Sequence, residues 1–451
     1  MISGPRITRS SAAFGLLLSG ACTMAGPPPA ARPEPVRLPP VQVERPPAAE
    51  PAPPARGPVP AFRPVRTFEE VRGLWVVRST MTSEQEVRDM VDRAASAGFN
   101  TLIVQVRGRA DAFYLSSLEP RAETVTGPPD FDPLALAVEE GHRRGLAVHA
   151  WVNIHLVWGP GALPESPRHL VNEHPDWLAV PEALALELHD VDPFDSRYVE
   201  ALGRYARQRS ATVEGLFSSP SHPEVQERVH AVWMDLVERY DLDGIHFDYV
   251  RFPSNEFDYS RGALERFRAW VTPRLPDDRR VELERAAAAD PLAFVRALPE
   301  QWDEFRRAQI TGLVERLYGA VKARRPEVVV SAAVIADVGT AYTHRFQDWP
   351  RWLAEGILDV AVPMAYTPDD RRFETYIRTA RDAAGERSRL WAGIGVYLDT
   401  FEGTLRKIDR ARGLDAGGVV LFSYDWATGE GRGDPQSPFL TRVGSERFGS
   451  R

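Results

Sequence analysis

Cysteine is almost absent from this 451-residue chain: Cys22 is the only one. No internal disulfide and no cysteine metal site can form. Lysine is nearly as rare, with only Lys322 and Lys407 among 55 basic residues, and the net charge of -8 argues against nucleic-acid binding as the main task. No HExxH or HxH spacing is present, and no phosphate-binding GxGxxG follows the first β-prone run. The longest N-terminal apolar run, Ala12 to Leu18, is too short for a comfortable membrane span. What remains, 43% hydrophobic and 26% charged residues, describes a globular protein with one large domain and appendages.

The N-terminus reads as processing and tethering. Arg6 and Arg9 precede the apolar run, and Ser19-Gly20-Ala21-Cys22 follows it, the pattern of a secretory signal over residues 1–22. The site resembles a bacterial lipobox with Ser19 where leucine is usual, so Cys22 is the expected lipidation site and the cell envelope, on the periplasmic side of a membrane, the expected location. Residues 23–64, rich in Pro and Ala without hydrophobic periodicity, read as a disordered linker. Such a segment reaches about 35 Å as a coil or about 120 Å as polyproline II.

From residue 65 to 440, β-prone runs alternate with helical patterns: 73–79, 100–107, 146–153, 244–250, 328–335, 358–366, 390–398 and 418–426. Eight such units predict a (β/α)₈ barrel, with residues 441–451 as a C-terminal tail. Ala97-Gly98, Arg144-Gly145 and Glu355-Gly356 supply the helix-ending turns. Long connections follow strands three (about 155–221) and four (about 254–307), on the side where barrel active sites lie.

The run Asp243 to Pro253, DGIHFDYVRFP, is the most informative segment. Alternation places Gly244, His246 and Asp248 on one face, where a buried His and Asp cost several kcal/mol unless partnered. Asp248 is therefore the expected central catalytic carboxylate. Other strand ends add Arg107 and Asp111 (strand two), His149, Trp151 and Asn153 (three), Tyr249 and Arg251 (four), Tyr366 (six), and Tyr424 and Asp425 (eight). Aromatic rings mixed with acids, amides and arginines suit a sugar site. Asp111, Asp337, Asp369 and Asp425 all stand open as the second carboxylate, Asp111 favoured because it follows Arg107. His246 and Arg107 are expected to set the charge on Asp248. A metal site drawn from His149, His155, His246 and Asp248, and a catalytically silent glycan-binding module, are the competing classes. No cofactor and no metal are expected.

The motifs RGLWV (72–76), NTLIVQVRGRADAFYLSSLEP (100–120), FDPLALAVEEGHRRGLAVHAWVN (131–153), HPDWL (174–178) and DGIHFDYVRFP together resemble the bacterial glycosyl-hydrolase-like family 10. The resemblance spans about 70–426 and implies a glycosidase acting on peptidoglycan strands that lack stem peptides, with partners in the cell-division or cell-wall machinery. The barrel is more distantly similar to family 18 chitinases: Asp243-Gly244, Asp248 and Met364-Ala365-Tyr366 match their strand motifs, which implies a catalytic role for Tyr366. His246 and Val250 stand where those enzymes keep acids. Val250 cannot donate a proton, so the general acid must come from elsewhere. A likeness to α-amylase-type barrels would make Asp248 a nucleophile.

Overall fold

The computed structural model describes residues 63–429, 433–434 and 437–449. The expected signal segment, Cys22 and nearly all of the linker lie outside the described residues. Eight strands, β1 (Val71–Val76), β2 (Thr101–Arg107), β3 (Ala147–Asn153), β4 (Gly244–Asp248), β5 (Val329–Ile335), β6 (Val360–Met364), β7 (Trp391–Gly395) and β8 (Gly418–Phe422), pair in parallel in chain order, and β8 returns to β1 to close a barrel. Every residue of β2, β3 and β4 is buried, which is why these strands read as continuous apolar runs. Alternation divides them between two cores. Trp75, Ile103, Trp151, Val362 and Val420 fill the barrel interior, while Leu74, Leu102, Val148 and Phe247 pack outward beneath the helices.

The helical layer comprises α1 (Glu84–Ser96), α2 (Pro133–Arg143), α3 (Pro223–Arg239), α4 (Pro299–Arg324), α5 (Trp349–Ala354), α6 (Asp370–Ala384) and α7 (Phe401–Gly413). Ser83 caps α1 by accepting from the Glu86 amide, and Asp132 caps α2, which has Pro at its first position. The expected helix stops are real. Gly98, Gly145 and Gly356 have φ of 75°, 77° and 71°, a left-handed turn that only glycine takes without penalty. The sequence pattern places the start of α4 near 309, but the helix begins ten residues earlier. Its first turns carry Trp302 and Phe305 toward a separate core in the second insertion, so two buried faces overlap and blur the single-face period.

Both long connections lie where expected, after β3 and β4. The first is pinned at its base by an antiparallel pair, Leu156–Trp158 with Leu216–Phe217. The second builds helices Arg261–Val271 and Asp277–Ala287 around Phe267 and Trp302. The two are tied together where Asp258 Oδ1 accepts from Val180 N (2.9 Å) and Tyr259 N donates to Val180 O (2.7 Å). In the expected C-terminal tail, residues 441–449 pack against the barrel: Phe448 meets Phe99 edge-on at 5.2 Å, and its carbonyl accepts from Arg72. Among the described residues, no helix is long and apolar enough to cross a membrane.

Candidate active site

Asp248 ends β4 and is 7% exposed. Its backbone carbonyl accepts from Ile154 N (2.8 Å), which fixes the strand end, and its Oδ1 accepts from Tyr249 N (2.7 Å). Tyr249 has φ of 49°, so the chain leaves the strand through a left-handed residue immediately after the carboxylate. Burial raises the Asp248 pKa to about 6, against the opposing pull of Arg251, the Tyr249 amide and the Trp151 indole N–H, while the charge of Glu214 adds to the rise.

Glu214 has no signal of its own in the sequence. It lies in the first insertion, just before the pinning strand, and its Oε1 accepts from Arg251 Nη2 (3.0 Å). Burial pushes its pKa up, but Arg251 and Arg345 prevail and hold it below the ordinary range. Arg251 is buried and stacks over the Tyr249 ring at 4.4 Å. Its Nε and Nη1, and Glu214 Oε2, are buried with no partner among the described residues. Asp248 thus feels the charge of Glu214, and the two pKa values are driven in opposite directions beside unused hydrogen-bonding capacity. The usable clue in the sequence is the Arg251 side chain itself: a buried cation near a strand end needs an anion from somewhere.

Above the inner core lies a group of aromatic rings. Tyr366, just past β6, stacks on Phe422 (5.4 Å) and meets Trp75 and Tyr397 edge-on (6.3 and 5.9 Å). Burial and the Asp248 charge raise its phenol pKa well above the ordinary value, so it stays a neutral donor. Trp151 contacts Phe422 from β3 and donates to Asn153 Oδ1 (2.9 Å). Asp248, Tyr249, Arg251, Trp151 and Tyr366 are therefore brought together, and Asp111 stands on the adjoining loop, accepting from Arg109 N (2.7 Å) and lining a side cavity of about 350 Å³.

Other expected site residues serve the scaffold. Arg107 is 1% exposed; it pairs with Glu119 (2.7 Å) and donates to the Asn153 and Ile154 carbonyls. It has no free face for substrate, and Arg251 is the cation that pulls hardest on Asp248. His246 is fully buried: its Nε2 accepts from Trp75 Nε1 (3.1 Å), which leaves Nδ1 to donate to Ser331 Oγ (2.8 Å), and burial keeps it neutral. Asn153 is wholly enclosed, accepting from Gln105 and Trp151 and donating to Gly108 O (2.8 Å). His149 sits at the opposite mouth of the barrel, against Trp391 (5.6 Å), and lines a cavity of about 760 Å³ among the N-terminal ends of the strands. That is the face where barrel enzymes keep stability rather than chemistry. Tyr424 turns outward into the helical core, where the charge of Arg93 reaches it from α1. Asp425 clamps the segment after β1, accepting from Val77 N, Ser79 Oγ and Thr80 Oγ1 (2.8, 2.8 and 2.5 Å). Asp337 and Asp369, the remaining candidates for the second carboxylate, are helix N-caps.

The four residues considered for a metal do not gather. His155, for instance, is buried against Ser218 Oγ (3.1 Å). Among the described residues, the group that could hold an ion is Asp176, His222 and Glu224, with ligand atoms within 4.8 Å of one another, at the start of α3 and in the first insertion.

The family model for glycosyl hydrolase-like 10 matches residues 70–390. The chain is similar to the glycosyl hydrolase YngK of Bacillus subtilis, 25% identical over 66% of this chain and 54% of that protein. It is likewise 25% identical to the glycosyl hydrolase DigH of Escherichia coli, over 70% of this chain and 66% of that protein. It therefore spans between half and two thirds of these relatives. Among solved structures, the glycoside hydrolase domain of PgaB (BpsB) from Bordetella bronchiseptica shares the fold, with a TM-score of 0.54, 14% identity, and coverage of 83% of this chain and 98% of that one.

Proposed function

Because the chain belongs to the glycosyl hydrolase-like 10 family, we propose that it hydrolyses glycosidic bonds in cell-wall glycan, with peptidoglycan strands lacking stem peptides as substrate. The observation that carries this reading is the pairing of Asp248, raised to about 6, with Glu214, held low by two arginines. Carboxyl groups whose environments drive their pKa values apart divide into acid and base. Protonated Asp248 donates to the glycosidic oxygen as its bond to the anomeric carbon breaks. Ionised Glu214 faces the developing positive charge and takes the proton of the water whose oxygen adds to that carbon. Glu214 then releases that proton to solvent and Asp248 takes one up, which restores both groups. Tyr366 and Phe422 supply apolar faces for the pyranose rings, and Arg251 keeps Glu214 ionised. Asp111 accepts from the Arg109 amide and has a place in the neighbouring cavity rather than in proton transfer. Envelope anchoring through Cys22 belongs to the same proposal, supported by the lipobox-like segment.

The test is turnover of stem-free glycan strands by the native protein and by Asp248→Asn and Glu214→Gln. Both variants should fold and bind glycan, and both should lose at least about 10²-fold in kcat. Near-full turnover by folded Asp248→Asn would remove the assignment.

A further inference from the structure

A cavity lies between the loop after β2 and the start of the first insertion. It is lined by Arg78, Arg109, Arg121, Asp111, Glu123, Trp158 and His169. Two of its arginines have no direct ion pair among the described residues. The Arg78 guanidinium donates to the neutral amide of Gln105 (3.4 Å), and that of Arg109 to the Gly108 carbonyl (2.9 Å); neither forms an ion pair among the described residues. They lie close enough that Arg78 opposes the charge on Arg109, which is already disfavoured by burial. The acids present are engaged with backbone: Asp111 Oδ1 accepts from Arg109 N, and Glu123 Oε1 accepts from Glu165 N (2.8 Å). Arg121 is spent on the carbonyls of Pro128 and Phe131.

The backbone is built to hold this pair. A Cβ at residue 108 would sit 2.3 Å from Arg78 Cδ, so glycine there lets Arg78 lie across the strand end; Arg109 reaches over Gly159 of the insertion. Trp158 is fixed by its indole N–H to Ala162 O (2.5 Å) and by an edge contact with His169 (4.9 Å). Arg109 is also near enough to Asp248 to feel its charge. Two half-buried like charges with no direct ion pair among the described residues, beside an aromatic face and with the charges of Asp111 and Asp248 reaching Arg109, make a receptor for an anion carried on a ring.

We propose that this cavity is a subsite for a carboxylate-bearing sugar next to the residue being cleaved, with Arg78 and Arg109 as the specificity-determining pair. The inference rests on the glycosidase reading above and deepens it. In a muramic acid the lactyl carboxyl is anionic only when no stem peptide is joined to it. Amide linkage removes the charge the arginines require and adds bulk where Trp158 and His169 close the cavity.

The experiment compares two substrates: stem-free glycan strands, and the same strands with their lactyl carboxyls converted to methylamides. The full chain should show at least a tenfold higher kcat/KM on the free acid, expressed mainly in KM, and Arg78→Gln should reduce that ratio toward one by raising KM on the free acid. A parallel binding titration with Asp248→Asn should show the same preference without turnover. Equal kcat/KM on the two glycans by the native chain would overturn the subsite. Absence of turnover on both would contradict the glycosidase reading, and the titration then decides the subsite alone: preference for the free acid supports it, while equal binding or none overturns it. Should Arg78→Gln fail to fold, the ratio measured for the native chain on the two substrates still supports or overturns the subsite.

Discussion

Asp248 owes its acidity to the end of one strand, and the sign of that effect leads to two measurements. Its pKa, about 6, lies above the ordinary carboxylate value. As proton donor it must be protonated, so kcat is expected to fall about tenfold per pH unit above that value, in a pH–rate profile whose descending limb disappears in Asp248→Asn. The same shift bears on stability. A folded-state pKa above the unfolded one means stability is fully present below about pH 4 and is lost as pH rises through about 6, by up to about 3 kcal/mol. Asp248→Asn should therefore melt at the same or a higher temperature than the native chain at a pH of about 8 while losing activity. A purely structural Asp would show the reverse. Asp248 is legible in sequence because alternation and the strand's polar end both mark it. Glu214 is not: it sits far upstream in an insertion without periodicity, and only folding sets it against Arg251.

The barrel strands explain why several polar residues fall elsewhere than their sequence pattern suggests. Alternation tells which face a side chain takes, but not how far along the barrel axis it lies. His149 and Asn153 share a face of β3, yet at about 3.3 Å per residue they are separated by roughly 13 Å, enough to put one at each end of the barrel. The strand order, the glycine helix stops and the two insertions are all readable, because they follow from local periodicity and turn chemistry. Arg107 is deceptive because an arginine in a strand looks the same whether it awaits substrate or an internal acid; its partner Glu119 lies within the same motif. Arg107→Gln is expected to leave Glu119 buried and unpaired and to cost about 3–5 kcal/mol in denaturant unfolding. Loss of glycan affinity at unchanged stability would instead return Arg107 to the binding site.

At the scale of the whole molecule, the cleft end of the barrel carries insertions that interlock over β3 and β4, while the opposite mouth holds the larger cavity around His149 and Trp391. Substitution of Trp391 by Phe should leave glycan turnover within a fewfold of native, read by reducing-end release, because that mouth lies opposite the proposed site. Upstream of the barrel, Cys22 is the proposed anchor, and Cys22→Ser should shift the protein from the membrane fraction to the soluble envelope fraction and remove an acyl mass from its N-terminal peptide. The most direct measurement is the mass spectrum of products from purified peptidoglycan strands, with and without stem peptides, treated with the native chain and with Asp248→Asn. Short glycan fragments whose masses sum to that of the intact strand plus one water per cleavage should appear from the stem-free strands with the native chain only. Fragments of equal yield from the Asp248→Asn protein, or cleavage confined to stem-bearing strands, would contradict it.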